Sequence, residues 1–106
     1  DRPIIAGILW KRLKASWPLQ VDATLQYAHG DWSPVTDTRY PSTYNTYIHS
    51  GLPPTPIANP GLAAINAAKS PETTPYWFYL HTPDGSAYYA KTVEEHNSNI
   101  DKYLRP

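Results

Sequence analysis

The sequence contains no cysteine, which excludes disulfides, thiolate nucleophiles, thiol redox chemistry and sulfur-ligated zinc. Methionine is absent too, and the chain opens on Asp1, so we expect further residues to precede it in the intact protein. No apolar run approaches the roughly 18–20 residues that span a bilayer, and no signal-peptide core is present. We therefore expect any membrane anchor or export signal to lie in that preceding part.

The sequence also lacks an excess of positive or negative charge. Nine basic and nine acidic residues cancel to a formal net charge of +0, and no run of Lys or Arg occurs. A nucleic-acid partner is therefore not expected. With 106 residues, 41% hydrophobic and 17% charged, the composition predicts one globular domain over residues 1–106.

Aromatic residues with a polar tip are abundant, with nine Tyr and four Trp against one Phe. Such rings suit a surface or a groove wall, where the ring and the hydroxyl or indole N–H both find partners. Core aromatics with one solvated edge remain the alternative.

Residues 2–14 are predicted to form an amphipathic helix that Asp1 caps and that holds Pro3 in its first turn. The apolar positions recur at helical spacing: Ile4, Ile5, Ile8, Leu9 and Leu13. The basic side chains then fall on or near the solvent side: Lys11, Arg12 and Lys14. A second helix is expected over residues 21–27, ended by Gly30.

The stretch from Gly30 to Pro60 is rich in proline, which forbids a long regular element. One short helix is expected inside it, over residues 42–49, and the rest should be a binding loop, because long ordered loops are usually functional. Asn59 is then expected to cap a small-residue helix that has Pro60 at its first position and ends before Pro71.

The last third predicts a β-hairpin followed by a helix. Strand-like residues 76–81 and 87–91 flank a turn signal at 83–85. Thr92, with Glu95 three residues later, forms a capping-box pattern that begins a helix over 93–104. The whole order indicates an α+β fold, mostly helical, with the hairpin between the last two helices and a long proline-rich loop.

Metal, serine-nucleophile and phosphate-loop chemistry find no support. No two of the four histidines lie at helical i, i+3 or i, i+4 spacing, and neither a Gly-x-Ser-x-Gly turn nor a glycine-rich phosphate loop occurs. We expect no metal and no cofactor.

Cleavage of a glycan needs a carboxylic acid held protonated in an apolar pocket. Glu72 lies in a proline-flanked loop, and Glu94 and Glu95 lie in the first turn of the last helix, where capping explains them. None is expected to be a buried general acid, so we assign no catalytic residue within the chain.

Two segments nevertheless carry the groups that a sugar groove requires. Amide side chains pair with an acetamido group, and rings cover the C–H face of a sugar. The candidate substrate-binding residues are Gln20, Asp22, Thr24, Tyr44, Asn45, Thr46, Tyr47 and Pro54. Loop scaffolding is the alternative role for the same residues.

An ordered set of motifs covers nearly the whole chain. The motifs are Arg2-Pro3-Ile4-Ile5-Ala6-Gly7, Arg12-Leu13, Pro18-Leu19-Gln20 with Asp22 and Thr24, Tyr44-Asn45-Thr46-Tyr47, Gly51-Leu52-Pro53-Pro54, Pro56-Ile57, Asn59-Pro60-Gly61, Lys69-Ser70-Pro71, residues 76–80, Lys91-Thr92 and Glu95-His96-Asn97. In this order they resemble the YceG-like family of endolytic murein transglycosylases, a family also labelled aminodeoxychorismate lyase-like.

That resemblance implies a membrane-anchored enzyme on the extracytoplasmic face, acting without a cofactor on peptidoglycan strands, with cell-wall synthases as further partners. A glutamate would protonate the bond between N-acetylmuramic acid and N-acetylglucosamine, leaving a 1,6-anhydro end. In the family this glutamate precedes the segment that starts here at Arg2, so the chain would be a C-terminal portion without it. Gln20 and Tyr44-Asn45 are further similar to motifs that line the lysozyme-like cleft.

Three functions follow from these observations. The first is a lytic transglycosylase fragment that supplies the glycan groove and cleaves nothing alone. The second is a catalytically inert module that binds wall glycan or a division protein. The third takes the lyase label literally and requires a pyridoxal phosphate lysine; the five lysines all have the pattern of solvated or turn positions, which argues against it.

Overall fold

A computed structural model describes residues 2–31, 33 and 35–104. The helices are α1 (Arg2–Lys14), α2 (Asp22–His29), α3 (Leu62–Lys69) and α4 (Val93–Asn99), and a π-helical segment, Ile100–Leu104, continues α4. Strands β1 (Phe78–His81) and β2 (Ala87–Ala90) form an antiparallel two-stranded sheet between α3 and α4. The α+β prediction is confirmed; the predicted Asp1 cap lies outside the described residues.

The chain divides into two compact units. The first contains the residues up to Lys11 together with those from Leu62 onward, and the second is Arg12–Gly61. The buried apolar side chains of the first unit are Ile8, Ala67, Leu80 and Ala90. Among its described residues, the second unit buries two large apolar side chains, Leu19 and Leu25, beside four polar residues: Arg12, Thr24, Asn45 and Thr46. Hydrogen bonds must therefore do much of the ordering in the second unit.

In the first unit, residues 72–77 form a strap that lies along one face of α1. The contacts come from positions four residues apart on the helix, which share a face. The Glu72 amide donates to the Pro3 carbonyl at 3.0 Å, and a Cβ on Gly7 would lie 2.0 Å from the Glu72 carbonyl oxygen. The Lys11 ammonium donates to the carbonyls of Thr74 at 3.1 Å and Tyr76 at 2.9 Å.

Two basic residues of α1 differ from the expected amphipathic pattern. Lys11 is half-buried, with its ammonium 4.3 Å from the centre of the Trp77 ring, and burial lowers the pKa of that ammonium. Arg12 is 4% exposed, so its predicted place on the solvent side is wrong. Its guanidinium donates to the Leu19 carbonyl at 2.6 Å, and that bond replaces part of the hydration that burial removes. Lys14 is exposed, as predicted.

Helix α2 confirms the second predicted helix and its end. Gly30 adopts the left-handed conformation with φ 84°. Its amide donates to the carbonyls of Gln26 at 3.0 Å and Tyr27 at 3.2 Å, which satisfies groups that the last turn leaves open.

The helix expected over residues 42–49 is wrong, because the structure has turns there. The Tyr44 amide donates to Ser42 Oγ at 3.1 Å, and the Tyr47 amide donates to Asn45 Oδ1 at 2.9 Å. Short polar side chains thus take up amides that a helix would pair with backbone carbonyls.

Helix α3 begins at Leu62, so the predicted cap at Asn59 and first position at Pro60 are wrong. Gly61 separates Pro60 from the helix, and glycine disfavours helical extension by roughly 1 kcal/mol. The predicted end before Pro71 is confirmed, since α3 ends at Lys69.

The hairpin and the last helix confirm the prediction for the C-terminal third. The register pairs Phe78 with Ala90 and Leu80 with Tyr88. Two aromatic stacks join the hairpin to the helix: Phe78 on His96 at 5.1 Å and Tyr88 on Tyr103 at 3.7 Å between ring centres. Thr92 Oγ1 caps α4 by accepting from the Glu95 amide at 3.1 Å. The π-helical winding of Ile100–Leu104 has no signal in the sequence.

None of the helices that the structure describes has both the length and the apolar content needed to cross a membrane.

Candidate functional site

All eight predicted substrate-binding residues lie in the second unit, where residues 44–47 are docked against the start of α2. The backbone amide of Gln20 donates to the Thr46 carbonyl at 3.1 Å. Thr46 Oγ1 accepts from the Val21 amide at 2.9 Å and lies 2.9 Å from Thr24 Oγ1. These contacts join residues 22 to 26 positions apart in sequence. The structure thus brings the two predicted segments together.

Three of the eight candidates are buried and bonded within the chain. Asn45 is 0% exposed, and its Nδ2 donates to the carbonyls of Thr38 at 3.1 Å and Tyr40 at 2.8 Å. Its Oδ1 accepts from the Tyr47 amide at 2.9 Å. Thr24 and Thr46 are buried and bonded to each other. These three residues hold the loop in place and do not present their polar groups to solvent.

Gln20, Asp22 and Tyr47 form the polar end of the site. The Gln20 side chain is exposed, and its backbone adopts φ 56°, a left-handed conformation that costs a non-glycine residue roughly 1 kcal/mol or more. The Tyr47 hydroxyl donates to Oδ1 of the exposed Asp22 carboxylate. An amide, a carboxylate and a phenol therefore lie within one short stretch of surface.

Tyr44 forms the aromatic end of the site. Its hydroxyl lies 2.8 Å from Thr55 Oγ1, next to the exposed Pro54. Its ring centre lies 5.0 Å from that of Tyr27 on α2, with the ring planes tilted by 47°. The ring is thus held at its tip and along its side.

Every carboxylate that the structure describes is exposed, including Glu72, Glu94 and Glu95. A general acid for glycoside chemistry is kept protonated by an apolar surrounding, and none of these groups has one. Among the described residues, no group of three His, Asp or Glu side chains is arranged to hold a metal ion.

The profile of the YceG-like family matches residues 1–102. The chain belongs to the YceG-like family. The matched region includes all of the second unit, the first unit up to residue 102, and all eight candidate residues.

Relatives of this YceG-like chain include proteins named endolytic murein transglycosylase. The Bacillus subtilis (strain 168) protein is 41% identical over 107 residues, which covers 98% of this chain and 30% of that protein. The Streptococcus pneumoniae (strain D39) protein is 31% identical over 113 residues, covering 98% of this chain and 20% of that protein. The chain thus spans less than a third of the length of either relative.

A crystal structure of a YceG-like protein from Listeria monocytogenes superposes on this chain with a TM-score of 0.87 and 41% identity. The superposition covers 92% of this chain and 33% of that one. The α+β arrangement is therefore the arrangement of a YceG-like protein.

Two residues of this part of the YceG-like chain were not foreseen as candidates. Tyr27 and Thr55 both contact Tyr44, but one is in α2 and the other is in the proline-rich loop. The only hint for Tyr27 is its position three residues after Thr24, which places the two side chains on neighbouring parts of the helix surface. Thr55 has no comparable signal.

Proposed function

We propose that this chain is the glycan-binding part of a peptidoglycan lytic transglycosylase that cleaves between N-acetylmuramic acid and N-acetylglucosamine. One observation carries the proposal: residues 44–47 dock against α2, so that Gln20, Asp22, Tyr44 and Tyr47 share one part of the surface. The names of the relatives support the same substrate class.

Within this proposal the exposed and half-buried candidates contact the glycan. The side-chain amide of Gln20 can both donate and accept hydrogen bonds, which matches an acetamido group. The Tyr44 ring and Pro54 offer apolar surface to the C–H face of a sugar, while Asp22 and Tyr47 bind hydroxyls. The buried Thr24, Asn45 and Thr46 hold these groups in position. A site held in this way loses little conformational entropy on binding.

The cleaving acid is proposed to be a glutamate in a segment that precedes Arg2 in the longer protein. It protonates the leaving oxygen and then, as a base, helps the muramyl 6-hydroxyl attack its own anomeric carbon. The products are a free N-acetylglucosamine end and a 1,6-anhydromuramyl end, and the reaction needs neither water as nucleophile nor a cofactor. The exposure of every described carboxylate supports an acid from elsewhere.

The longer protein is proposed to act at the extracytoplasmic face of the membrane, through an anchor outside this chain. Its substrate is nascent peptidoglycan, and cell-wall synthases are its proposed partners.

The decisive experiment compares this chain with a version extended upstream through the glutamate motif. Each is incubated with purified peptidoglycan, and anhydromuramyl ends are counted by mass spectrometry. The expected result is binding by both and cleavage by the extended version alone. The matched variant Gln20→Ala in the extended version should lower cleavage about tenfold or more, since it removes a substrate contact. Equal cleavage by both versions would overturn the placement of the acid.

A catalytically inert module that binds wall glycan or a division protein is the second candidate. The exposure of all described carboxylates favours it as well. It predicts that the extended version binds peptidoglycan and produces no anhydromuramyl ends, which the same assay measures.

A further inference from the structure

The aromatic end of the site contains an exposed residue to which no role has been given so far. Tyr27 is 43% exposed on α2, and its ring contacts Tyr44 at 5.0 Å between ring centres. The two rings meet at 47°, so they form a bent ledge and not a flat stack. A bent pair leaves part of each ring face open to a ligand.

The ledge is held more firmly than exposed rings usually are. The Tyr44 hydroxyl lies 2.8 Å from Thr55 Oγ1, and the Tyr44 amide donates to Ser42 Oγ at 3.1 Å. The next residue, Asn45, is fully buried and ties the chain to Thr38 and Tyr40. Tyr27 itself is fixed by the helix, whose last turn Gly30 closes. A rigid aromatic surface binds at a low cost in side-chain entropy.

The ledge is also separated from the polar end. Tyr47 contacts Asp22 and Tyr44 contacts Tyr27, so the two contacts are five residues apart on α2. At about 1.5 Å of rise and about 100° of rotation per residue, the two positions lie about 7.5 Å apart along the helix axis and about 140° apart around it. The two contacts are therefore on different parts of the helix surface, and a single sugar does not contact both ends.

We propose that Tyr27 and Tyr44 form a second sugar subsite, which binds the C–H face of an N-acetylated hexose next to the one at Gln20 and Asp22. Tyr27 thereby makes the site select oligomers over short glycans. This inference rests on the proposed function and adds to it a residue and a preference for length.

Tyrosine suits this role because its ring supplies apolar area while its hydroxyl remains solvated. Stacking on partly exposed tyrosines gives a polar polymer an apolar contact. A β-linked chain of N-acetylglucosamine is a suitable probe.

The experiment measures binding of N-acetylglucosamine and of its β-linked pentasaccharide to this chain by NMR titration. Wild type should bind the pentasaccharide more tightly than the single sugar, which occupies the polar end, with shifts at Tyr27 and Tyr44 for the pentasaccharide only. Tyr27→Ala should weaken pentasaccharide binding roughly three- to tenfold and leave binding of the single sugar unchanged. Tyr27→Phe keeps the ring and should bind as wild type does.

Leu62→Ala is the matched control, because Leu62 is 74% exposed and lies in the first unit. It should bind both ligands as wild type does. Alanine favours helices, so Tyr27→Ala is expected to fold, and its amide spectrum checks this. If Gln20→Ala weakens both ligands while Tyr27→Ala changes neither, the second subsite is wrong and the proposed function stands. If wild type binds neither ligand, the proposed function fails and the subsite fails with it.

Discussion

A fully buried asparagine organises the loop on which the candidate site depends. Both hydrogens of the Asn45 amide are donated to backbone carbonyls, and its oxygen accepts a backbone amide. A buried polar group of this kind is costly when unpaired and specifies one loop conformation when fully paired. At the scale of single residues, this side chain holds the loop that carries its neighbours Tyr44 and Tyr47, the two proposed ligand contacts.

Asn45→Ala should therefore destabilise the chain by about 2–3 kcal/mol, because three hydrogen bonds are lost and a small void remains. Urea denaturation followed by circular dichroism measures the free energy of unfolding. Asn66→Ala is the control, since Asn66 is exposed on α3, and it should change stability by less than about 0.5 kcal/mol. If Asn45→Ala lowers the free energy of unfolding no more than Asn66→Ala does, the proposed stabilising role of Asn45 is wrong.

Gly7 is required by close packing. A Cβ there would lie 2.0 Å from the Glu72 carbonyl oxygen and 3.1 Å from Thr74 Cγ2. Gly7→Ala should destabilise by about 2–3 kcal/mol, although alanine favours helices by roughly 1 kcal/mol, because the strap must move away from α1.

Gly61→Ala is the matched control for Gly7, since nothing lies within 4 Å of its Cβ position. It should be neutral, or stabilise by about 0.4–1 kcal/mol. Thermal unfolding gives the melting temperatures of the two variants, and that of Gly7→Ala should be the lower. Equal melting temperatures would show that α1 and the strap are not in contact.

At the scale of elements, side-chain bonds shape the turns as strongly as backbone bonds do. In the hairpin turn, Asp84 Oδ1 accepts from the Thr82 hydroxyl and from the Ser86 amide, the latter at 3.0 Å. Gly85 completes the turn with φ 88°, a conformation that few other residues adopt. The turn thus contains an acceptor whose charged form is favoured by folding.

The Thr82 hydroxyl, and after it the Ser86 amide, lowers the pKa of the Asp84 carboxyl from its ordinary value of 3.8. A lowered folded pKa stabilises the hairpin at every pH above the ordinary value, and that stabilisation is lost as the pH falls through the folded pKa. Titration of the Asp84 carboxyl carbon by NMR should show this lowered pKa.

Thr82→Val should move the Asp84 pKa back upward, because the main donor is removed. Thr73→Val, at an exposed position outside the hairpin, should leave it where it was. An unchanged pKa in the Thr82 variant would show that the hydroxyl is not the cause.

At the scale of the whole molecule, the absence of net charge bears on the proposed binding of a glycan. Nine basic and nine acidic residues leave no excess of either sign. The candidate site presents amide, hydroxyl and ring groups with one carboxylate, Asp22. Binding should therefore depend on hydrogen bonds and stacking, which salt affects little.

Raising the salt concentration from about 0.05 M to about 0.5 M should change the affinity for purified glycan strands less than about threefold. Sedimentation of the chain with insoluble peptidoglycan measures this, after wall teichoic acid has been stripped from the polymer. A loss of binding of tenfold or more with salt would show that charges carry the interaction.

Most of the element order follows from local sequence signals. Helix α2 ends where Gly30 predicts, the hairpin turns at Gly85, and Thr92 caps the last helix. Each of these signals acts within about one turn of the chain, so no distant contact is needed to interpret it. The one clear failure among the elements is at residues 42–49, where polar side chains take the place of helical bonds.

The sequence by itself therefore determined the element order, the α+β class and the set of polar and aromatic residues from which a site is built. Only the tertiary structure decided which of them face outward. Asn45 and Thr46 are buried while Tyr44 and Tyr47 are half-buried, and Tyr27 joins Tyr44. Arg12 is buried despite its charge. The physical reason is that the burial of a residue such as Thr46 depends on contacts with Val21 and Thr24, more than 20 positions away, which local spacing does not encode.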